Sequence, residues 1–111
     1  MAKYSAGLDE VFSALSDPTR RAMVGVLGRG PASVSALADS AAMTLPSFMK
    51  HVRTLERCGL IRTAKSGRVR TCTLNRKRLQ VVDTWLAEQR AVWEARTDRI
   101  EQFVTDPRER S

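Results

Sequence analysis

Apolar residues recur every three or four positions along most of the chain, which is the spacing of amphipathic helices. A first helix is predicted over residues 5–15 from the apolar positions Leu8, Val11, Phe12 and Leu15. A second is predicted to begin at Pro18 with Asp17 as its N-cap, because proline loses no hydrogen bond at the first helical position. Its apolar stripe consists of Ala22, Met23, Val26 and Leu27. A short third helix, capped by Ser33, is predicted over about residues 33–42.

The fourth helix, predicted over residues 44–58, has two faces of opposite character. Thr44 is expected to cap it, and a proline is tolerated in its first turn. One side of the helical wheel is apolar and is expected to pack in the core through Leu45, Phe48, Val52 and Leu55. The opposite side is cationic and carries Lys50, Arg53 and Arg57. Gly59 is well placed to end the helix in the left-handed conformation.

Two short β-prone runs, residues 60–64 and 69–74, follow this helix. The residues between them, Lys65 to Arg68, predict a hairpin turn with Gly67 where a positive φ costs least. Asn75 is expected to cap a last helix that reaches about residue 104. The predicted fold class is therefore mainly α with a small β-hairpin. It is a winged helix-turn-helix of five helices and a two-stranded wing, in a single domain spanning residues 1–111.

Basic residues concentrate in the segment that holds the fourth helix and the hairpin. The chain has a net charge of +7, yet residues 44–78 contain ten Lys and Arg residues and the single acid Glu56. A solvated surface normally mixes the two signs, so this basic block indicates a polyanionic partner. Nucleic acid is the leading candidate, because the block lacks the wide apolar face that binding to an anionic membrane requires.

Other classes of function find little support. No apolar run is long enough to span a bilayer, the N-terminus lacks a signal-like apolar region, and a cytoplasmic protein is expected. An enzyme is not predicted, because the chain has one histidine, no paired carboxylates in a plausible cleft and no glycine-rich phosphate loop. No cofactor and no metal are predicted, since a site for zinc or a similar ion needs three or four ligands.

Three side chains of the basic block allow alternative interpretations. Cys58 and Cys72 are expected to be reduced and buried, although neighbouring arginines would lower the pKa of a thiol and create a redox switch. A disulfide between them also stays open. His51, the only histidine, lies beside the apolar stripe of the fourth helix. It is expected either to pack with one hydrogen bond or to contact a phosphate.

The last helix carries an apolar seam at alternating spacings of three and four, from Leu79 to Phe103, interrupted by Gln89 and Arg96. About thirty helical residues span roughly 45 Å, more than a monomer of this size can cover. The surplus apolar surface predicts a homodimer held by the last helix (about 75–104) and the first (about 5–15). The interface is expected at Leu8, Phe12, Leu79, Val82, Trp85, Leu86, Trp93, Ile100 and Phe103.

Four segments in this order resemble the ArsR-like winged-helix transcriptional regulators, and in particular the subgroup without obvious metal ligands: LSDPTRRAMVGVL, PSFMKHVRTLERCGLI, SGRVRTCTLN and WLAEQRAVWEARTDRIEQFV. The resemblance covers about residues 8–104. It implies a homodimer that binds a pseudo-palindromic operator in double-stranded DNA, usually as a repressor. The fourth helix would enter the major groove, and the wing would lie along the flanking backbone.

The resemblance also implies which residues face DNA. It assigns the early positions of the fourth helix, Thr44, Leu45, Ser47, Met49 and Lys50, and the wing tip at Lys65, Gly67 and Arg68. Ser47 and Lys50 are expected at base edges. Phosphate contacts are expected from Arg53, Arg57, Lys65, Arg68 and Arg70, with His51 as a further candidate. Leu45 and Met49 stand where the family commonly has polar residues, which favours contacts with thymine methyl groups.

Two alternative functions stay open. One is a redox-responsive regulator that uses Cys58 and Cys72, and the other is a winged-helix module that binds RNA or a protein. The sequence specifies neither an effector nor the operator, and it does not decide between repression and activation.

Overall fold

The structure is a computed structural model that describes the backbone of residues 5–104 and the side chains of residues 7–101. Its elements are α1 (Ser5–Leu15), α2 (Pro18–Leu27), β1 (Ala32–Ser33), α3 (Val34–Ser40), α4 (Leu45–Arg57), β2 (Ile61–Ser66), β3 (Val69–Leu74) and α5 (Arg76–Val104). The described residues divide into two compact units, one up to residue 81 and one from residue 82, with the boundary inside α5. The predicted five helices and hairpin are therefore confirmed.

Helices α2, α3 and α4 begin at the predicted N-caps. In each case the side-chain oxygen of the cap accepts a backbone N–H three residues later, at 3.1 Å for Asp17 and Ser33 and at 3.4 Å for Thr44. Each bond satisfies one of the four N–H groups that have no partner within the first turn of a helix. The positions at which these three helices start thus follow from local sequence.

Helix α4 ends in a Schellman motif at the predicted glycine. Gly59 has φ +84°, and its N–H donates to the carbonyl of Glu56 at 3.0 Å. The N–H of Leu60 donates to the carbonyl of Leu55, also at 3.0 Å. Both leucine side chains are fully buried, which is the apolar contact that accompanies this kind of helix end.

Helix α3 ends in the same motif without a glycine. Ala42 takes φ +55°, its N–H donates to Asp39 and the next N–H, of Met43, donates to Ala38. A left-handed backbone places Cβ of an L-residue close to the following carbonyl oxygen and costs roughly 1–2 kcal/mol. The turn between α3 and α4 therefore stores strain at Ala42.

The sheet has three antiparallel strands in the order β1-β3-β2, one more than the sequence predicts. The extra strand, β1, is two residues long and pairs Ala32 with Cys72 and Ser33 with Thr71. The hairpin is also tighter than expected, because β2 continues to Ser66 and leaves a two-residue turn. Gly67 in that turn has φ +62°, as a two-residue hairpin loop requires.

The core of the first unit contains most of the predicted apolar positions, and its largest fully buried side chains include Phe48, Leu55 and Leu60. The predicted core position of Leu45 is wrong, because its side chain is 49% exposed. In the apolar stripe of α2, Val26 is 36% exposed and Ala22 is exposed. Leu45 lines an open groove and Val26 borders a depression between α2 and α3, because neighbouring helices cover only part of each apolar stripe.

The start of α5 is attached to the end of α4. Asn75 does not act as the predicted side-chain cap. Its Nδ2 donates to the carbonyl of Gly59 at 3.1 Å, and its backbone N–H donates to the carbonyl of Leu60 at 2.8 Å. Arg78 Nε donates to the carbonyl of Cys58 at 2.7 Å. The carbonyl of Cys58, the C-cap of α4, has no partner within the helix, and those of Gly59 and Leu60 lie just beyond the helix, so these bonds satisfy all three.

Other arginines bind helix ends in the same way. Nε of Arg20 donates to the carbonyl of Ala14 at 2.7 Å, and Arg21 donates to that of Leu15 at 2.8 Å, both at the end of α1. Arg76 donates to the carbonyl of Gly28, the C-cap of α2, at 2.9 Å. A cation at a helix C-terminus also interacts favourably with the helix dipole. Arg76 and Arg78 therefore have structural roles, although both belong to the basic block.

Helix α5 has 29 residues and is about 43 Å long. Its second half exposes three large apolar side chains, Val92 at 56%, Trp93 at 53% and Ile100 at 64%. Of the other predicted dimer-interface residues, Phe12 is 39% exposed and Leu8 is already buried. Leu79, Val82, Trp85 and Leu86 are half-buried, and the side chain of Phe103 lies outside the described part of the structure. None of the described helices is both apolar and long enough to cross a membrane.

The two Schellman motifs predict stability changes of opposite sign. Gly59→Ala is expected to destabilise the protein by about 1 kcal/mol, because alanine is strained at positive φ. Ala42→Gly is expected to stabilise it by about 0.5–1 kcal/mol by relieving the same strain. Urea unfolding followed by circular dichroism measures both changes, and a shift of the same sign in the two variants would contradict this account.

Candidate nucleic-acid interface

Helix α4 exposes its polar face because the opposite face is anchored in the core. Phe48, Val52 and Leu55 are each 0% exposed, which fixes the rotation of the helix about its own axis. Lys50 and Arg53 consequently lie in solvent, together with Thr44 and Ser47 near the start of the helix. The early positions and cationic face that the sequence assigns to DNA are thus accessible along one side of α4.

A groove of about 180 Å³ brings α4 and the wing together. Its walls come from α4, from the start of α3 and from the hairpin, and are formed by Val34, Ser35, Leu45, Met49, Lys65, Arg68 and Arg70. Leu45 and Met49 supply an apolar surface on the helix side, while three cationic side chains stand on the wing side. Five of the predicted DNA-facing residues therefore border one concave site.

The hairpin changes character along its inner face. Directly opposite residues of an antiparallel pair, and residues two apart on one strand, project to the same side of the sheet. Ile61 pairs with Leu74 and Cys72 pairs with Thr63, so buried Ile61 and Cys72 both mark the inner face. The pair Lys65 and Arg70 continues that face towards the tip and lines the groove. The same strands thus contribute to the core at one end and present positive charge at the other.

One hydrogen bond connects the wing to α4, and a second joins the two strands of the wing at the same threonine. Thr63 of β2 donates its hydroxyl to Oε2 of Glu56 on α4 at 2.8 Å. The same hydroxyl accepts an N–H from Arg70 of β3 at 3.0 Å. The one acid of the basic block is therefore joined through a threonine to a cation of the groove.

Arg57, the last predicted phosphate contact on α4, lies apart from the groove. It borders a different depression, which it shares with Asp9 and Glu10 of α1 and with Cys58, and it donates to the hydroxyl of Thr54 at 3.4 Å. Acids close to this guanidinium reduce the positive potential that a phosphate would meet there. Arg57 is therefore not among the predicted phosphate contacts that line the groove, which are Lys65, Arg68 and Arg70.

His51 faces the start of α2. Its Nδ1 lies 3.1 Å from a guanidinium nitrogen of Arg20 and 3.8 Å from Oδ2 of Asp17, and its ring makes an edge contact with Phe48. Because arginine can only donate, Nδ1 accepts this bond and the proton of the neutral ring is on Nε2. This geometry favours packing with one hydrogen bond over a phosphate contact.

The cap of α2 is sensitive to acid. The backbone N–H of Arg20 holds the pKa of the Asp17 carboxyl below its usual value against a counteracting effect of desolvation, and the positive charge of Arg20 contributes in the same direction as the N–H. A carboxyl with a lowered pKa in the folded state stabilises that state above its unfolded pKa and loses this effect as the pH falls. The N-terminal cap of α2 therefore weakens in acid.

Both cysteines are free and buried, Cys58 at 5% and Cys72 at 0% exposure. The thiol of Cys58 donates to the carbonyl of Leu55 at 3.3 Å. Burial raises the pKa of the Cys72 thiol, and the charge of Glu56 adds to this, whereas Arg70 lowers it only in part. The expectation that nearby arginines lower the pKa is therefore wrong for Cys72, since burial outweighs them.

Some residues of the site were not identified from sequence. Val34 and Ser35, at the start of α3, line the groove although they are ten residues or more from α4. Sequence periodicity does not reveal this contact, because it arises only when the turn between α3 and α4 brings the two helices together. In the described part of the chain, no group of three or more His, Cys, Asp or Glu side chains is arranged to hold a metal ion.

Comparison with known proteins identifies close relatives. A family of helix-turn-helix domains matches residues 15–64. The crystal structure of the ArsR family transcriptional regulator RHA00566 is 55% identical in sequence and has a TM-score of 0.79, covering 85% of this chain and 97% of that one. An ArsR-like transcriptional regulator from Rhodococcus sp. RHA1 is 31% identical with a TM-score of 0.78, covering 95% and 99%. The transcriptional repressor SdpR of Bacillus subtilis is 29% identical over 79 residues, which are 71% of this chain and 88% of SdpR.

The buried cysteines predict low thiol reactivity in the folded protein. Because burial raises the pKa of Cys72 and shields both sulfurs, we expect iodoacetamide at pH 8 to modify neither residue appreciably in the native protein. In urea both should react at the rate of a model thiol. Mass spectrometry of proteolytic peptides measures the two rates, and rapid native modification of Cys72 would restore the redox interpretation.

Proposed function

Since this chain belongs to the ArsR family of transcriptional regulators, which are DNA-binding proteins and not enzymes, we propose that it represses transcription as a homodimer on a pseudo-palindromic operator. The relative SdpR is named a repressor, which supports repression over activation. Acting on chromosomal DNA, the protein would work in the cytoplasm.

The observation that carries this proposal is the groove between α4 and the wing. A helix whose far side is anchored by fully buried Phe48, Val52 and Leu55 presents a rigid polar face, and such a helix fits the major groove of B-DNA. Cations on the wing side of the same groove supply the electrostatic attraction to phosphates. Together they provide one surface for base edges and another for the backbone.

The roles of individual residues follow from where they lie. Ser47 and Lys50 are exposed near the start of α4, which is the end of a recognition helix that reaches base edges. We assign phosphates to four cations that are exposed or line the groove: Arg53, Lys65, Arg68 and Arg70. Such contacts set the register on the duplex without reading its sequence.

Leu45 and Met49 suggest part of the operator's chemistry. Leu45 is 49% exposed, and it borders the groove together with Met49. In the major groove, the apolar group offered by a base pair is the thymine methyl. Each half-site is therefore proposed to contain thymines where these two side chains meet the DNA.

Homodimerisation is proposed to use the exposed apolar side chains of α5. Val92, Trp93 and Ile100 expose more than half of their surface on one helix, and such a cluster marks an interaction site on a soluble protein. A twofold dimer would also present two copies of α4 about one helical turn of DNA apart. The predicted contribution of Phe12 fits this role, whereas buried Leu8 adds little surface to it.

Two substitutions separate sequence reading from phosphate binding. Lys50→Ala is expected to lower the ratio of operator to scrambled-duplex affinity by roughly tenfold, since a good base contact contributes about 1–3 kcal/mol of discrimination. Arg68→Ala is expected to weaken binding to both duplexes alike. Fluorescence anisotropy with a palindromic duplex that the protein itself selects from a random pool measures these affinities.

The salt dependence provides the check on wild type. If a dimer neutralises about six phosphates, log K should fall with log salt concentration with a slope near −5. Equal behaviour of the two variants would contradict the division of roles. A wild-type protein that prefers RNA, or that ignores duplex DNA at low salt, would support the interaction-module alternative instead.

A charge placed in the α5 seam is expected to separate the subunits. Trp93→Glu should weaken dimerisation roughly 100-fold or more, because a buried aromatic anchor contributes about 2 kcal/mol or more and occurs twice in a symmetric interface. Ala95→Glu introduces the same charge about 200° further around the helix and should leave the dimer intact. Sedimentation equilibrium distinguishes them, and an unchanged Trp93→Glu dimer would place the interface elsewhere.

A further inference from the structure

We propose that Glu56 and Thr63 are positioning residues for DNA binding, which hold Arg70 and the wing in register with α4. The inference rests on the proposed function, because neither residue is assigned a contact with DNA and both act through Arg70. It concerns the one acidic side chain of the basic block, for which a purely electrostatic account of DNA binding offers no use.

The hydrogen bonds define a directional relay across three elements. A threonine hydroxyl has one proton to donate, and in Thr63 that proton goes to the carboxylate of Glu56 at 2.8 Å. A lone pair of the same oxygen accepts from Arg70 at 3.0 Å. Both outer partners are charged, so both bonds are charge-assisted, and such bonds are stronger than those between neutral groups. The relay therefore restrains α4, β2 and β3 relative to one another.

Electrostatics alone would favour removing Glu56. The side chain is exposed on the helix that we assign to the major groove, and a negative charge there repels phosphates. Its bond to Thr63 gives the carboxylate a different use, as the fixed acceptor that orients the threonine hydroxyl. We infer that the lost attraction is offset by correct placement of the wing.

Arg70 is the residue that gains from this placement. It lies on the inner face of the hairpin opposite Lys65, and Thr63 is its diagonal neighbour across the strands. A guanidinium has five N–H donors, so one bond to Thr63 does not exhaust it. Holding the side chain at the groove before DNA arrives reduces the conformational entropy that binding must remove.

Substitutions of Thr63 test the relay without changing charge. Thr63→Val keeps the shape and strand preference but removes the hydroxyl, and should weaken operator binding about three- to tenfold. It should also reduce the magnitude of the salt slope by about 1–2, since two Arg70 contacts per dimer become ineffective. Thr63→Ser keeps the hydroxyl and should bind like wild type. Thr73→Val is the matched control, an exposed threonine on β3 of the same hairpin.

Substitutions of Glu56 separate geometry from charge. Glu56→Gln loses the negative charge but keeps an oxygen that accepts from Thr63, whereas Glu56→Ala loses both. Positioning predicts that Glu56→Gln binds the operator at least as tightly as wild type, whereas Glu56→Ala binds the operator and the scrambled duplex about three- to tenfold more weakly, because Arg70 contacts phosphate. A charge effect alone predicts that both variants bind every duplex more tightly than wild type.

The outcomes distinguish this inference from the proposed function. Circular dichroism at the assay temperature first establishes that each variant is folded. If wild type binds its palindromic duplex and Thr63→Val matches Thr73→Val in affinity and salt slope, the relay has no positioning role. A folded Thr63→Val that binds more weakly with an unchanged slope would also overturn it. If wild type itself lacks a preference for the palindrome, the proposed function fails first.

Discussion

The end of α4 is the junction on which the other elements depend. Arg78 binds the carbonyl of Cys58, and the backbone and side chain of Asn75 bind those of Leu60 and Gly59, at 2.7–3.1 Å. A helix leaves its last carbonyls without internal partners, and burying them unsatisfied costs free energy. Here the first residues after the hairpin satisfy the carbonyl of Cys58, the C-cap of α4, and the two carbonyls that follow it, which returns the chain to the point where the hairpin began. The directions of α4, of the wing and of the start of α5 are thereby set together.

This junction also explains how the basic block divides between architecture and function. Arg76 and Arg78 bind helix carbonyls, so their charge is used within the fold. Lys65, Arg68 and Arg70 lie on the tip side of the hairpin, where no helix end requires a cation, and they line the groove. A count of charges cannot distinguish the cations that bind helix carbonyls from those that line the groove, because both groups consist of positively charged side chains. What separates them is the distance of each residue from a helix C-terminus.

The sequence predicted best those features that depend on a few consecutive residues. The caps Asp17 and Thr44 and the positive φ of Gly59 and Gly67 follow from turn and cap chemistry, which acts over three or four positions. The helical wheel predicted that Leu45 lies in the core. A wheel shows on which side of the helix a side chain lies, but it does not show whether another element covers that side chain. Strand β1 escaped prediction because it has two residues and exists only through its pairing with β3.

By itself, the sequence determined the order of elements, the amphipathic character of α4, the basic hairpin and the likeness to ArsR-type regulators, because each is encoded in local periodicity or in a contiguous motif. The tertiary structure decided which cations remain available. It turned His51 towards Asp17 and Arg20, separated Arg57 from the groove, and joined Glu56 to the wing through Thr63. Those outcomes depend on how distant segments pack against each other, and no short stretch of sequence contains that information.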